Sequence, residues 1–279
     1  QTMVAGVRKT LTFQGCRPSA DYQLPLVTGC PGRCEYCYLL GSLGGRTYLR
    51  VYVNVPQILA RAADYIEERR PRLTVFEGSA VGDPVPVERY TGALARAVTF
   101  FAAQEFGRFR FVTKFADVDH LLDLPHAGRT TIRFSVNTPA VIRRYEAGTP
   151  RLEERLRAAA RVAAAGYPLG LMIAPVFLSE GWERDYEELL GTIAGHLDRS
   201  QPLSFEFVTH RFTERARTKI LELNPASTLP LDPQERRFKY GQFGYGKYVY
   251  GAEKMEQAGD FLARSVAALF PRATVAYFV

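Results

Sequence analysis

Short apolar runs recur along this chain, and several of them show little alternation. They fall at 24–28, 73–77, 110–113, 131–136, 169–176 and 203–208, and each predicts a strand. An unbroken apolar run is the pattern of a parallel strand covered on both faces. Between them the apolar positions take a helical period, at 56–69, 87–106, 118–122, 139–145, 152–165 and 182–197. Pro56 and Pro139 sit in a first turn, where a missing N–H costs nothing. Gly166 suits the left-handed residue that ends a helix. Strand–helix alternation implies a parallel sheet with right-handed crossovers. Six such units predict an α/β fold, a partial TIM barrel of the (β/α)6 kind.

The pattern changes towards the C-terminus. Residues 231–240 read as a helix and 240–250, where aromatics alternate with glycines, as a β-hairpin. A final amphipathic helix at 253–269 and a closing strand at 274–279 follow. The expected organisation is an approach segment at 1–22 that carries Cys16, the partial barrel at 23–223, and a C-terminal extension at 224–279 with the hairpin and helix.

Length and composition agree with that plan. The chain has 279 residues, 47% of them hydrophobic, enough for one barrel or two smaller domains. It contains no apolar run long enough to span a membrane and no signal-peptide pattern, so a cytoplasmic protein without a membrane partner is expected. Lys and Arg number 36 against 29 acidic residues, a net charge of +7 that is compatible with a polyanionic partner without proving one.

The cysteines alter the picture most. Three of the four stand together in Cys30-Pro-Gly-Arg-Cys34-Glu-Tyr-Cys37-Tyr, directly after the first predicted strand. Structural zinc requires four ligands, and neither a second C-x-x-C nor a nearby histidine follows. A cubane iron–sulfur cluster ordinarily takes four cysteines. Three thiolates leave one iron open to an outside ligand, and this reading suits the loop best.

C-x3-C-x2-C with an aromatic before the third cysteine resembles the signature of the radical S-adenosylmethionine (SAM) enzymes. The runs at 14–26, 50–54, 111–115, 165–170 and 210–213 resemble the spore photoproduct lyase family in particular, nearly end to end. The resemblance implies a [4Fe-4S] cluster on Cys30, Cys34 and Cys37, with the SAM amino and carboxylate groups on its open iron. It implies reductive cleavage of SAM to a 5′-deoxyadenosyl radical, which takes hydrogen from ring carbon 6 of the lesion. The methylene bridge between two thymines then breaks. It further implies a partner DNA duplex containing spore photoproduct, an electron donor such as flavodoxin or ferredoxin, and a monomer. Family members carry a longer N-terminal region, so a truncated or short form is expected.

Barrels of this class place function at the C-terminal ends of strands, and the residues singled out by the resemblance fall there. Lys114, Ser135, Asn137 and Ala174 match positions that help hold SAM. The bland alternatives are a solvated rim charge for Lys114 and a strand-end turn pair for Ser135 and Asn137. Tyr36 and Tyr38 match tyrosines beside lesion and SAM, able to pass a hydrogen atom, and both can also shield the cluster. His210 and Arg211 match a lesion-proximal motif; a structural histidine at a strand end is the alternative. In the hairpin, Gln242 and Phe243 at the tip and Lys247 beside it are expected to contact DNA, with a basic residue usual in the family where Gln242 stands. An ordinary surface hairpin is the alternative there.

One position departs from the family. Its members read Phe-Glu-x-x-Cys-x-x-Asp after the second strand, and that cysteine donates a hydrogen atom to the product thymine radical. Here the run is Phe76-Glu77-Gly78-Ser79-Ala80-Val81-Gly82-Asp83. Alanine offers no comparably weak bond, so initiation is expected to survive in this chain and the final quench to be impaired. A non-catalytic lesion binder and a different radical SAM enzyme are the competing readings.

Overall fold

The computed structural model describes residues 2–39, 48–241, 244 and 246–279. Eight strands share one sheet, in the order Thr274–Phe278, Leu203–Thr209, Leu169–Val176, Thr130–Val136, Gly107–Thr113, Thr74–Gly78, Ala20–Leu24 and Gly15–Cys16. Apart from the antiparallel Gly15–Cys16, the pairings resolved in this sheet are parallel: Tyr22 opposite Phe76, Phe76 opposite Phe109, Phe109 opposite Thr130, and Ser204 opposite Thr274. The predicted α/β class is therefore the observed one. The 169–176 strand and the 139–145 helix have the expected bounds.

The chain divides into two compact units. The first comprises 1–31, 47–134 and 153–170. Its core contains an aromatic cluster: Phe101 stacks on Phe109 at 5.3 Å, and Phe76 leans on both Phe101 and Tyr22. A small second sheet pairs Met3–Gly6 with Leu49–Tyr52 and Leu49–Tyr52 with Val27–Thr28. The second unit comprises 32–46, 135–152 and 171–279. In it Trp182–His196 and Ala252–Leu269 pack together, with Trp182 edge-on to Phe261 at 5.1 Å.

Three expectations need correction. The run at 24–28 is not one strand: it splits at Pro25 into Ala20–Leu24 and Val27–Thr28, which enter different sheets, because proline has no N–H for a ladder. The helix at 87–106 is broken into a 3-10 turn Val85–Val87 and helices Glu88–Thr91 and Ala93–Ala102. Gly92 is left-handed at φ +57°, and the Glu88 carboxylate accepts from the Leu94 and Ala95 N–H groups to start the second helix. Residues 231–240 are not helical. Asp232 caps one 3-10 turn, Pro233–Glu235, and Arg237–Tyr240 then forms a strand against Gly246–Val249. The hairpin thus begins earlier than its glycines imply. A Cβ on Gly246 would sit 2.1 Å from the Phe238 ring, so any other residue there has to push that exposed ring aside. The helix Glu214–Leu223, capped by the Thr213 hydroxyl, lay unrecognised in a polar stretch.

Candidate active site

In the first unit the strand Thr74–Gly78 delivers the loop that carries Ala80. Ser79 is left-handed at φ +56°, an unusual conformation for a residue with a Cβ, and its buried hydroxyl accepts from the Val27 N–H at 2.9 Å. The base of the cysteine loop is laced to the same turn. The Gly29 N–H donates to the Val81 carbonyl at 2.9 Å, and the Gly29 carbonyl accepts from the Asp83 N–H at 3.2 Å. The approach is so close that a Cβ on Gly82 would lie 2.6 Å from the Gly29 oxygen, which explains glycine at that position. Cys30 and the half-buried Ala80 are therefore held by one backbone clasp.

Asp83 ties that clasp to the next strand. Its carboxylate accepts from the Thr113 hydroxyl at 2.8 Å, the Lys114 N–H at 3.0 Å and the Val85 N–H at 3.2 Å, which fixes the backbone from which the Lys114 side chain leaves. Burial pushes its pKa up to about 6, against the pull of those hydrogen bonds. In the unfolded chain the group titrates near 3.8. Between these values the folded protein keeps a proton that the unfolded chain has released, so stability falls as pH rises through the window. Asp83→Asn is expected to remove that slope, worth about 3 kcal/mol across it, as read by urea unfolding at pH 4 and pH 7.

Beneath the loop lies a buried charge cluster. An Arg133 nitrogen donates to both Glu77 oxygens, the Ser19 hydroxyl donates to the same carboxylate at 2.6 Å, and Arg110 reaches Glu77 at 3.9 Å and the Ser19 carbonyl at 2.9 Å. Cys16 borders this cluster. Burial, and then the Glu77 charge, pushes its thiol up to about 12. All four cysteines of the chain are thiols rather than disulfides.

The second unit holds the rest of the cysteine loop. Arg33–Cys34 pairs antiparallel with Glu146–Ala147, the Glu35 N–H donates to the Tyr145 carbonyl at 2.9 Å, and Ser227 donates to the Glu35 carboxylate at 2.8 Å. Cys34 and Cys37 share one turn, with the Cys37 N–H on the Cys34 carbonyl at 3.2 Å. The Tyr36 hydroxyl donates to Glu146, a carboxylate that no motif pointed to. Behind Tyr36 the rings continue: Phe177 at 6.3 Å, His210 stacked on Phe177 at 4.8 Å, and Phe212 beyond. Tyr38 is exposed.

Asn137 is fully buried, donates to the Pro175 carbonyl at 2.7 Å and accepts from the Thr138 N–H at 2.9 Å, so it locks the strand end that also carries Ser135. Ala174 precedes Pro175 in the neighbouring strand. His210 is 2% exposed, and Arg236 donates to its carbonyl at 3.1 Å. Burial and the Arg236 charge lower its pKa to about 3, so it is neutral at ordinary pH. At the hairpin, Lys239 stands directly opposite Lys247. Burial, then the charges of Arg211 and Lys239, lowers the Lys247 pKa, which marks a patch where three cations crowd together. The hairpin is joined to the 210–213 segment by paired hydrogen bonds between Phe212 and Tyr248. Gln242 and Phe243 lie outside the described residues.

Among the described residues no three His, Cys, Asp or Glu side chains are gathered closely enough to hold a metal ion. The donor chemistry nevertheless fits a cluster. Three thiols occur within eight residues, with Cys30 and Cys37 partly exposed and Cys34 buried.

The comparisons decide the family. A family model described as spore photoproduct lyase matches residues 1–279. The chain belongs to the spore photoproduct lyase family. It is 49% identical over 278 residues to the spore photoproduct lyase of Clostridium acetobutylicum, covering 100% of this chain and 82% of that one. The Bacillus subtilis protein of the same name is 44% identical over 279 residues, with 99% and 82% covered. A solved spore photoproduct lyase complexed with dinucleoside spore photoproduct superposes with a TM-score of 0.97 at 46% identity, covering 100% of this chain and 82% of the other. Another, with cysteine-to-alanine and serine-to-cysteine exchanges and with bound AdoMet and dinucleoside spore photoproduct, gives 0.96 at 47%, with the same coverage. The α/β partial-barrel class and the assignment as a radical SAM lyase of DNA repair follow from this membership. Among the described residues no helix is long and apolar enough to cross a membrane.

Proposed function

We propose that this chain reverses spore photoproduct in duplex DNA to two thymines, with Cys30, Cys34 and Cys37 holding a [4Fe-4S] cluster and SAM on its open iron. The observation that carries the reading is the clasp at Gly29, which ties the cysteine loop to the turn bearing Ala80 and Asp83, inside a chain that matches the family from end to end. When bound, such a cluster supplies the single electron that cleaves SAM. The electron comes to it from a small carrier protein of the flavodoxin or ferredoxin kind.

The side chains divide the remaining work. Lys114, its backbone pinned by Asp83, offers a point charge to the SAM carboxylate. Ser135 and Ala174 line the same cofactor, on strand ends that Asn137 fixes. Tyr36 is oriented by Glu146, which accepts its proton in a hydrogen bond and so prepares the phenol to give and regain hydrogen. Tyr38, exposed beside it, faces the lesion. His210 is a positioning residue, a neutral ring behind Phe177 and Tyr36. Arg211, Lys239 and Lys247 meet DNA phosphates, since cations crowded together gain from a neighbouring anion.

Anaerobic reconstitution tests the reading directly. The protein is expected to bind iron and sulfide, to cleave SAM under reductant, and to consume lesion DNA. A reconstituted, reduced protein that leaves SAM intact would overturn it. Ala80→Cys is expected to raise the yield of thymine per lesion consumed, because it restores a weak S–H bond at the family's donor position.

A further inference from the structure

Arg236 belongs to no motif of the sequence, and the structure sets its guanidinium against His210. We propose that Arg236 is a positioning residue for the lesion: it fixes His210 as the tautomer with its proton on Nε2, and so offers a neutral, immobile hydrogen-bond donor to a pyrimidine carbonyl oxygen. This deepens the lesion-repair reading above and rests on it.

The tautomer follows from the contacts. A guanidinium can only donate, and Arg236 Nη2 stands 3.4 Å from His210 Nδ1, so Nδ1 is the acceptor. A neutral imidazole that accepts at Nδ1 carries its proton on Nε2. Burial, and then the Arg236 charge, keep the ring neutral. A proton on Nδ1 would set N–H against N–H at this contact, so the arrangement disfavours both the other tautomer and the imidazolium. Among the described residues nothing accepts from Nε2, although the residue is 2% exposed. A buried donor of that kind gains most when a ligand brings it an acceptor.

Both partners are held still. Arg236 Nη1 donates to the His210 carbonyl at 3.1 Å and Nη2 to the Pro230 carbonyl at 3.2 Å. The guanidinium lies 3.5 Å from the centre of the Tyr250 ring, and the Tyr250 hydroxyl accepts from the Leu178 N–H at 3.1 Å. The His210 ring stacks on Phe177 at 4.8 Å with Phe212 at 6.0 Å, and its backbone N–H donates to the Val176 carbonyl at 2.8 Å. The hairpin strand Arg237–Tyr240 begins at the next residue, so one side chain ties the root of the hairpin to the ring.

The chemistry of the donor names its acceptor. A neutral N–H suits an uncharged oxygen such as a thymine carbonyl. A phosphate would be served better by an imidazolium, and Arg211 beside it in sequence already supplies a positive charge.

The test begins with the reconstituted parent chain, isotopically labelled at the histidine nitrogens. NMR at neutral pH separates the four histidines, and His210 is identified by the signal lost in His210→Phe. The expected state is Nε2 protonated and Nδ1 bare; a proton on Nδ1, or on both nitrogens, overturns the inference. Arg236→Met keeps an apolar stem over Tyr250 but donates nothing. It is expected to give a mixture of tautomers and to bind dinucleoside spore photoproduct about tenfold more weakly. Arg236→Lys, which can still donate to Nδ1, is expected to fall between the two. The double variant Arg236→Met/His210→Phe is expected to bind no worse than His210→Phe alone, because Arg236 acts through the ring. Losses that simply add overturn the inference, since a merely structural role would give that result. Should Arg236→Met fail to fold, the tautomer in the parent and in Arg236→Lys decides. A parent that holds the Nε2 proton but neither binds nor consumes lesion overturns the lesion-repair reading, and the ligand assigned here with it.

Discussion

Glu77→Gln is expected to cost about 3–5 kcal/mol of folding stability in urea unfolding, the scale for breaking one side of a buried ion pair. The reason lies in what is left behind. Arg133 is 0% exposed and Arg110 is mostly enclosed, and the Glu77 carboxylate contacts both. An amide keeps the shape and one acceptor but leaves guanidinium charge in a poorly solvated interior. Replacing Glu77 and Arg133 together by Leu and Met should cost less than Glu77→Gln alone, because two apolar groups of similar volume remove the buried Arg133 charge along with the carboxylate that faces it. If the single variant unfolds within about 1 kcal/mol of the parent, the cluster is wetter than its burial indicates. A second consequence reaches the chemistry. Removing the Glu77 charge takes away one of the two influences that raise the Cys16 thiol, so its thiolate fraction at alkaline pH should increase, as measured by thiol alkylation rates.

That cluster also marks where the sequence could be read and where it could not. The strands were legible because buried parallel strands need apolar side chains on both faces, and the 169–176 run came out with its bounds intact. The breaks were less so. Pro25 divides one apolar run between two sheets, and Gly92 divides one helical period into two helices; neither residue changes the hydrophobic pattern it interrupts. Arg237–Tyr240 read as helix because its apolar spacing is ambiguous over so short a stretch, whereas the pairing with Gly246–Val249 decides for strand. In the site, the cysteine loop and Ala80 were visible as motifs. Glu146, the acceptor for Tyr36, was not, since the two are 110 residues apart. One signal was present and unread. Glu77, Arg133 and Glu206 each interrupt an otherwise apolar strand, and such charges are buried only when paired.

His210 supplies the other large effect, with the opposite sign to Asp83. Its pKa is about 3 in the folded protein against 6.5 for an ordinary histidine, with burial the main cause and the Arg236 charge the second. The unfolded chain therefore takes up a proton below pH 6.5 that the folded protein refuses, and stability is lost as pH falls from there towards 3. The contribution approaches about 5 kcal/mol at the acid end. Between pH 4 and 6 the titration of Asp83 acts the other way, so the parent alone shows a muted profile and the variants must be compared. His210→Gln should flatten the acid limb and leave the Asp83 slope in place, while Asp83→Asn should steepen the apparent acid loss. The functional corollary is that no step between pH 6 and 8 titrates with His210. Its ring stacks on Phe177 as a neutral surface, and Phe177 in turn backs Tyr36. A pH–rate profile whose inflection near 6.5 disappears in His210→Gln would contradict this, because it would require the imidazole to gain its proton in the folded enzyme.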